Sequence, residues 1–192
     1  MTAKTLMSEQ VVGGSGDFLS SSLLIFWSEA GPARWFAKNQ EFDKDFRARF
    51  LDAHLAAAAR RLDAWSQEAS SALALVILLD QFPRNAFRDT AHMYATDPLA
   101  RLVSSAAIDR GFDSQVSNEL RIFFYLPFEH SENLADQVRS LELHQRIGMM
   151  QYAEQHHDII RRFGRFPHRN AVLCRVSTPE EQAFLDAGGF SG

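Results

Sequence analysis

The clearest pattern in the chain is a stripe of apolar residues that recurs at steps of three and four positions. Phe42, Phe46 and Phe50 are followed by Ala53 and Ala57 at this spacing, and charged residues stand between them. Because an α-helix has 3.6 residues per turn, this spacing places the apolar side chains on one face and the charges on the other. The pattern predicts an amphipathic helix that is buried on one side.

A second apolar segment, residues 72–79, has no polar face. It reads Ala-Leu-Ala-Leu-Val-Ile-Leu-Leu and lies between Trp65 and Pro83. A helix that is apolar on all sides is normally covered by other elements. The segment therefore indicates a central helix, and a short buried strand is the alternative.

The ends of other helices are marked by proline, glycine and capping residues. Asp97 before Pro98 is expected to cap a helix whose apolar stripe ends at Gly111. The apolar run from Leu120 to Leu126 is expected to form a helix that Pro127 closes. From Ser131 onward a longer periodic segment, bent at Gly148, is expected to turn one set of residues inward, namely Leu134, Val138, Leu141, Met149, Tyr152, Ala153, Ile160 and Phe163.

Both terminal parts of the chain also carry helical signals. Leu23, Leu24, Phe26 and Trp27 predict a short first helix that Gly31-Pro32 stops, and Trp35 and Phe36 are expected in the core. Thr178-Pro179-Glu180-Glu181 has the pattern of a capping box with proline at the first helical position. No segment alternates as a strand does, so we expect an all-α fold of about seven to nine helices, either an irregular bundle or an array of helix pairs.

Length and charge limit the classes of function. The 192 residues suffice for one domain, and we assign residues 18–192 to a single all-helical domain after a flexible, glycine-containing leader at residues 1–17. A net charge of -4 argues against nucleic-acid or anionic-membrane binding by the whole surface. With one cysteine, no signal segment and no apolar run as long as a membrane span, the expected location is the cytoplasm.

Two related motifs each follow an apolar helical run: Phe82-Pro83-Arg84-Asn85 and Phe166-Pro167-His168-Arg169-Asn170. We call them the first and the second Phe-Pro motif. Proline cannot donate a hydrogen bond to the helix backbone, so both motifs are expected to stop a helix and to hold their polar residues at a corner. Arginine suits carboxylate or phosphate recognition, so these corners could form an anion pocket. The alternative, which we favour on general grounds, is that Arg84 and Arg169 pair with Asp80, Glu129 or Asp136 and pin helix ends together.

A third polar cluster, residues 129–137, could carry acid–base or metal chemistry. Glu129, His130, Glu132 and Asp136 are of the residue types that transfer protons or bind metals. Acidic residues in a first helical turn also complement the helix dipole, and this structural interpretation is the simpler one. A Glu-x-x-His step occurs at Glu154–His157, but a second helical copy is missing, so we expect no di-iron site and no cofactor.

These three clusters together resemble a known family. The segments at residues 78–85, 125–132 and 163–170 are similar to those of a bacterial family catalogued as domain of unknown function 924, and the resemblance extends over nearly all of the chain after the leader. It implies a tetratricopeptide-like fold of antiparallel helix pairs and no particular activity. The family's polar pattern falls on Asp80, Gln81, Arg84, Asn85, Asp97, Glu129, His130, Glu132, Gln137, Gly164, Arg165, His168, Arg169 and Asn170.

Two functions are compatible with these residues. The first is a binding module whose polar groove takes an anionic small molecule or an acidic peptide end, through Asp80, Gln81, Arg84, Asn85, Glu129, His130, Glu132, Arg165, His168, Arg169 and Asn170. The second is a hydrolase of a phosphate or acyl substrate, with His130 or His168 as general base and Glu129 orienting it. Local RNA binding by the basic and aromatic residues 161–169 is a weaker third hypothesis. Both main hypotheses require the three clusters to meet around one cavity.

Overall fold

The computed structural model describes the backbone of residues 12–190 and side chains from residue 18 onward. Within that part of the chain there is no strand, and the α-helical segments are α1 (Val12–Ala30), α2 (Pro32–Trp35), α3 (Gln40–Ala58), α4 (Ala69–Val76), α5 (Phe82–Ala86), α6 (Asp97–Asp109), α7 (Asn118–Glu129), α8 (Leu134–Gln145), α9 (Met150–Phe163) and α10 (Pro179–Asp186). The all-α prediction is confirmed, and the strand alternative for residues 72–79 is wrong. Helix α1 includes residues 12–17, which we had assigned to a leader, and residues 1–11 lie outside the described part.

Helix α4 is the centre of the fold. It packs against α1, α6 and α7, while α7, α8 and α9 pack on one another in chain order. Every side chain from Ala72 to Leu79 is almost completely buried, because other helices cover all sides of the segment. From α6 to α9, helices that follow one another in the chain thus pack on one another, which is compatible with the tetratricopeptide-like stacking we expected.

The predicted amphipathic helix is α3. Phe42, Phe46, Phe50, Ala53 and Ala57 are all buried, which confirms the stripe read from the sequence. Aromatic rings from several helices then meet in one core: the Phe46 and Phe82 ring centroids are 5.0 Å apart, and those of Trp27 and Phe123 are 5.3 Å apart. Such edge-to-face contacts add to the hydrophobic stabilisation.

Pro83 does not stop a helix, contrary to the prediction from the first Phe-Pro motif. Helices α4 and α5 are joined without a break by a π-helical segment, Ile77–Gln81, in which the Phe82 amide donates to the carbonyl of Ile77. A regular helix would leave the Leu79 carbonyl without a donor, since Pro83 has no N–H. Here the Thr96 hydroxyl donates to that carbonyl. Counted as one, α4 and α5 make nine helices in the described part.

Pro127 does not close a helix either, because α7 continues to Glu129 and has Pro127 inside it. The second Phe-Pro motif follows the end of a helix, as expected: α9 ends at Phe163, Gly164 adopts a left-handed conformation with φ 69°, and Pro167 begins a short 3-10 turn. The capping box is also confirmed, with the Thr178 hydroxyl accepting from the Glu181 amide and the Glu181 carboxylate accepting from the Thr178 amide.

The long periodic segment forms two helices rather than one bent helix, and much of its predicted inward face is wrong. Leu134, Val138, Met149 and Tyr152 are exposed, and α8 instead buries Gln137, Ser140, Leu143 and His144. This inward face is mostly polar because it covers a polar cluster, described below. Phe36, expected in the core, is likewise 60% exposed.

Candidate functional site

Beside the π-helical segment lies a cavity of about 410 Å³. Apolar side chains form much of its wall, and they come from α2, the 3-10 turn Ala91–Tyr94, α7, the start of α9 and the C-terminal segment: Trp35, Phe36, Met93, Tyr94, Ile122, Leu126, Met149, Tyr152 and Phe190. The polar part of the wall consists of Gln81, Arg84, Asn85, Arg88, Glu129, His130, His144, His156 and Arg169. A larger depression between α1 and α3 has exposed charges such as Glu29, Glu41 and Arg49, as is usual for a solvated surface.

Arg84 is the centre of a buried ion network at one side of the cavity. Its guanidinium donates to both carboxylate oxygens of Asp97 over 2.8 and 3.0 Å, and Nη1 lies 3.2 Å from Oδ1 of Asp80. Burial works against the charge of Asp80, but Arg84 and His130 outweigh it and hold the pKa of that carboxyl well below its usual range. Arg84 is therefore satisfied by its acidic partners, as the clamp interpretation expected, although one of them is Asp97 instead of Glu129 or Asp136. Asp97 serves this network instead of capping α6, since no side-chain cap hydrogen bond is made there.

His130 is held by Asp80, the same carboxylate that Arg84 contacts. Its Nδ1 lies 2.8 Å from Oδ1 of Asp80, so Nδ1–H donates to an ionised carboxylate. Burial and the charge of Arg84 lower the pKa of His130, so the ring is neutral near pH 7. Within residues 12–190 no group hydrogen-bonds to Nε2 of this ring, and His130 lines the cavity. The carboxylate that orients His130 is thus Asp80, where we had expected Glu129.

Glu129 lies in a neighbouring cluster with His144 and His156. Its Oε2 is 3.2 Å from Nε2 of His144, without a well-aligned hydrogen bond, and its Oε1 is 3.5 Å from Nδ1 of His156. Burial, followed by the nearby charge of Asp80, raises the pKa of Glu129 to about 8. The carboxyl is therefore mainly protonated at neutral pH and can donate a proton or a hydrogen bond.

The tautomers of these two histidines follow from helix geometry. His144 Nδ1 lies 2.9 Å from the Ser140 carbonyl, and His156 Nδ1 lies 2.8 Å from the Tyr152 carbonyl, each one turn earlier on its own helix. A carbonyl only accepts, so Nδ1 carries the proton and Nε2 the lone pair in both rings. Burial lowers the pKa of His156 to about 3. Both rings are therefore neutral acceptors in the wall of the cavity.

Arg169 is buried yet has few partners. It is 6% exposed, its Nη1 is 3.8 Å from Oδ2 of Asp97, and its Nε has no hydrogen-bond partner among residues 12–190. The guanidinium carbon lies 4.5 Å from the ring centroid of Tyr94 and 4.3 Å from that of Phe166. Burial, together with the charge of Arg84, lowers the pKa of Arg169 to about 10. The structure thus holds a cation in the cavity wall whose donors are not used by the described residues.

Some predicted site residues lie outside the cavity. Glu132 pairs with Arg175 through two contacts of 2.6 and 2.9 Å, and Arg165 pairs with Glu181 at 2.6 and 2.7 Å. Asn170 completes this group by donating to Ser177 and Glu181. The pairs of Arg165 and Asn170 with Glu181 tie the segment after α9 to α10, and the pair of Glu132 with Arg175 ties that segment to the corner between α7 and α8.

The remaining predicted residues have supporting positions. Gln81 donates to Asp80 over 2.6 Å, and Asn85 donates to Asp43 over 2.7 Å, although both line the cavity. Gln137 donates to the Glu129 and Ser131 carbonyls over 2.7 and 2.6 Å and so fixes the corner after α7. His168 packs against Phe166 and Phe190 outside the cavity wall, and burial lowers its pKa to about 3.

Sequence reasoning missed three parts of the site: His144, the aromatic face of Tyr94, and Phe190. His144 stands four residues after Ser140, and that spacing is the one local signal that could have placed it on the inner face of α8. Tyr94 lies in a short 3-10 turn, and Phe190 follows the last helix, so periodicity provides no signal for either residue.

No three metal-ligating side chains in the described part of the chain are arranged to hold a metal ion. Among the described helices, none is both long and apolar enough to cross a bilayer. The fold and the site thus define an all-helical protein with a buried network of charged and imidazole groups beside a mostly apolar cavity.

The chain belongs to the family described as bacterial protein of unknown function DUF924, whose model matches residues 23–189. A solved structure described as a protein of unknown function, ATU0120 from Agrobacterium tumefaciens, is similar to it. The two share 55% sequence identity and a TM-score of 0.88, over 90% of this chain and 99% of that one. A search of curated protein sequences finds no significant relative.

Proposed function

We propose that this protein is a helical binding module whose cavity takes a small organic anion, with Arg169 as the group that holds the negative charge. The observation that carries the proposal is the incomplete pairing of Arg169. A buried charge is costly unless it is paired and hydrogen-bonded, and among the described carboxylates this guanidinium approaches only Asp97, at 3.8 Å. A bound anion would supply the missing acceptors.

The surroundings of Arg169 favour a carboxylate over a phosphate. Two carboxylates, Asp97 and Asp80, belong to the same ion network, so a ligand with two negative charges would be repelled more strongly than a monoanion. Much of the wall is aromatic or aliphatic, and its volume of about 410 Å³ is in the range of small-molecule sites. The ligand we propose therefore has one carboxylate and a compact apolar body.

Isothermal titration calorimetry with butyrate, benzoate and inorganic phosphate tests the proposal. Butyrate or benzoate should bind more tightly than phosphate. Replacement of Arg169 by methionine, Arg169→Met, should weaken binding by about 10- to 100-fold, because charge-assisted hydrogen bonds contribute about 1.5–3 kcal/mol. Arg161→Met is the matched control, since Arg161 is exposed on α9 and, of the residues that the structure describes, pairs only with Asp158. Equal affinity in the wild type and Arg169→Met, or no binding of any of the three anions, would refute the proposal.

A further inference from the structure

The cavity contains a histidine with the geometry of a general base. Asp80 is completely buried and lies 2.8 Å from Nδ1 of His130, while no described group bonds to Nε2. A carboxylate at Nδ1 fixes the tautomer and stabilises the imidazolium that forms when Nε2 takes a proton. Arg84 keeps Asp80 ionised, so the orientation of the ring does not depend on an outside group.

A proton donor, the carboxyl of Glu129, lines the same cavity, and Glu129 directly precedes His130 in the chain. Glu129 is 4% exposed, and its carboxyl is protonated at neutral pH because burial raises its pKa to about 8. Oε1 of Glu129 is 3.5 Å from His156, and the rings of His156 and His130 have centroids 6.4 Å apart. Two neighbouring groups in opposite protonation states, one able to accept and one able to donate, are the requirement for acid–base catalysis.

From this geometry we infer that the cavity is the active site of a hydrolase for short carboxylic esters that carry a free carboxylate, with His130 as general base and Glu129 as general acid. The inference rests on the proposed function, because Arg169 would hold the free carboxylate. It goes beyond that function by giving His130 and Glu129 roles in a reaction that binding alone does not need.

The reaction is balanced by one water molecule. Nε2 of His130 takes a proton from water as the water oxygen forms a bond to the acyl carbon. The bond from that carbon to the ester oxygen then breaks, and the Glu129 carboxyl gives its proton to the departing alkoxide. The proton on His130 returns to Glu129 through solvent, and the products are an acid and an alcohol. A second carboxylate on the product would be repelled by Asp80 and Asp97, which favours its release.

Two esters with the same acyl part separate the two roles. Monomethyl succinate has a poor leaving group that needs a proton, whereas mono-4-nitrophenyl succinate has a good one that does not. Hydrolysis is measured as proton release in a pH-stat and as nitrophenolate absorbance. His130→Gln should lower both rates by at least about 100-fold, and Glu129→Gln should lower only the rate of the methyl ester by a similar factor.

The control for these variants is His157→Gln, because His157 lies on α9, is 3.7 Å from Asp158 and does not line the cavity. Both rates should be unchanged in this variant. Calorimetric titration of His130→Gln with butyrate shows whether that variant is folded, since its Arg169 site is intact.

The outcomes distinguish the two proposals. Butyrate binding by the wild type with no hydrolysis of either ester above the buffer rate overturns the catalytic inference and leaves the binding proposal in place. Full activity in His130→Gln also overturns it. Hydrolysis without butyrate binding refutes the binding proposal instead.

Discussion

Arg84 and Arg169 are adjacent arginines with opposite expected effects on stability. Both lie near Asp97 and near the ring of Tyr94, but Arg84 makes a bidentate contact of 2.8 and 3.0 Å whereas Arg169 approaches no closer than 3.8 Å. Replacing each of them by methionine keeps most of the side-chain volume and removes the charge. We expect Arg84→Met to be strongly destabilising and Arg169→Met to be nearly neutral or stabilising.

The magnitudes follow from the pairing of each group. Arg84→Met leaves Asp80 and Asp97 buried without their main cationic partner, and breaking a buried pair in this way costs about 3–5 kcal/mol. The pKa of Arg169 is lowered to about 10, and since free arginine titrates above about 12, its charged form costs on the order of 3 kcal/mol in the folded state. Contacts with the Tyr94 and Phe166 rings return roughly 1–2 kcal/mol each. The change for Arg169→Met should therefore lie within about 1 kcal/mol of zero, or be stabilising.

Urea unfolding and thermal unfolding, both monitored by tryptophan fluorescence, measure both variants, because Trp27, Trp35 and Trp65 are buried. For a protein of this length each kcal/mol moves the melting temperature by about 2–4 °C, so Arg84→Met should melt roughly 10 °C lower than the wild type. A loss of more than about 2 kcal/mol in Arg169→Met would refute the reasoning, since it would show that Arg169 is already well paired in the free protein.

Two further predictions concern Glu129 and the last helix. Because the pKa of Glu129 is raised from 4.5 to about 8, the folded protein holds a proton that the unfolded chain has released, so the wild type should lose stability relative to Glu129→Gln as pH rises from about 4.5 to about 8. Urea unfolding at pH 5, 7 and 9 should show that the free energy of unfolding of the wild type falls relative to that of Glu129→Gln as the pH rises. A difference between the two proteins that does not depend on pH would contradict this prediction. Thr178→Ala removes the capping box of α10 and should cost about 1 kcal/mol, seen as faster amide exchange in α10, with Thr90→Ala, whose hydroxyl donates only to the Phe87 carbonyl in an exposed turn, as the control.

The parts of the fold that depend on local rules were predictable. The stripe from Phe42 to Ala57 and the capping box at Thr178 involve residues within one or two helical turns, and both are confirmed. The prediction for Pro83 was wrong because its outcome depends on a distant residue. Thr96, thirteen positions later, supplies the donor that lets the chain continue past the proline as a helix.

The inward face of α8 shows a second limit of periodicity. Apolar residues at Leu134 and Val138 predicted the buried side, but the structure exposes them and buries Gln137 and His144. Hydrophobic patterning identifies a buried face only where that face meets an apolar core. Here it meets the Glu129 carboxyl and the corner after α7, so polar side chains are the ones that fit.

The candidate site was predictable as a set of residues but not as an arrangement. Asp80 and His130 are 50 positions apart in the chain, and nothing in the sequence around either residue shows that they form a pair. The resemblance to the family named both residues together with Glu132, Arg165 and Asn170, which the structure places in ion pairs and hydrogen bonds that fix the segment between α9 and α10. Only the spatial arrangement separates these two groups of polar residues.

The π-helical segment explains why the charged network lies beside the cavity. Side chains contact three consecutive carbonyls at this wider turn: His54 contacts that of Leu78, the Thr96 hydroxyl donates to that of Leu79, and Arg84 donates to that of Asp80. The last of these bonds holds Arg84 one turn from Asp80, and Asp80 in turn holds His130. An all-apolar core helix can therefore carry a completely buried carboxylate, because the irregular turn supplies its cationic partner locally. In a regular helix the Leu79 carbonyl would also lack a backbone donor, because Pro83 has no N–H, but the side chains before and after Leu79 would point in other directions than they do around the wider turn. We conclude that the π turn is the local feature that positions the proposed base, His130, and that its geometry follows from the proline in the first Phe-Pro motif.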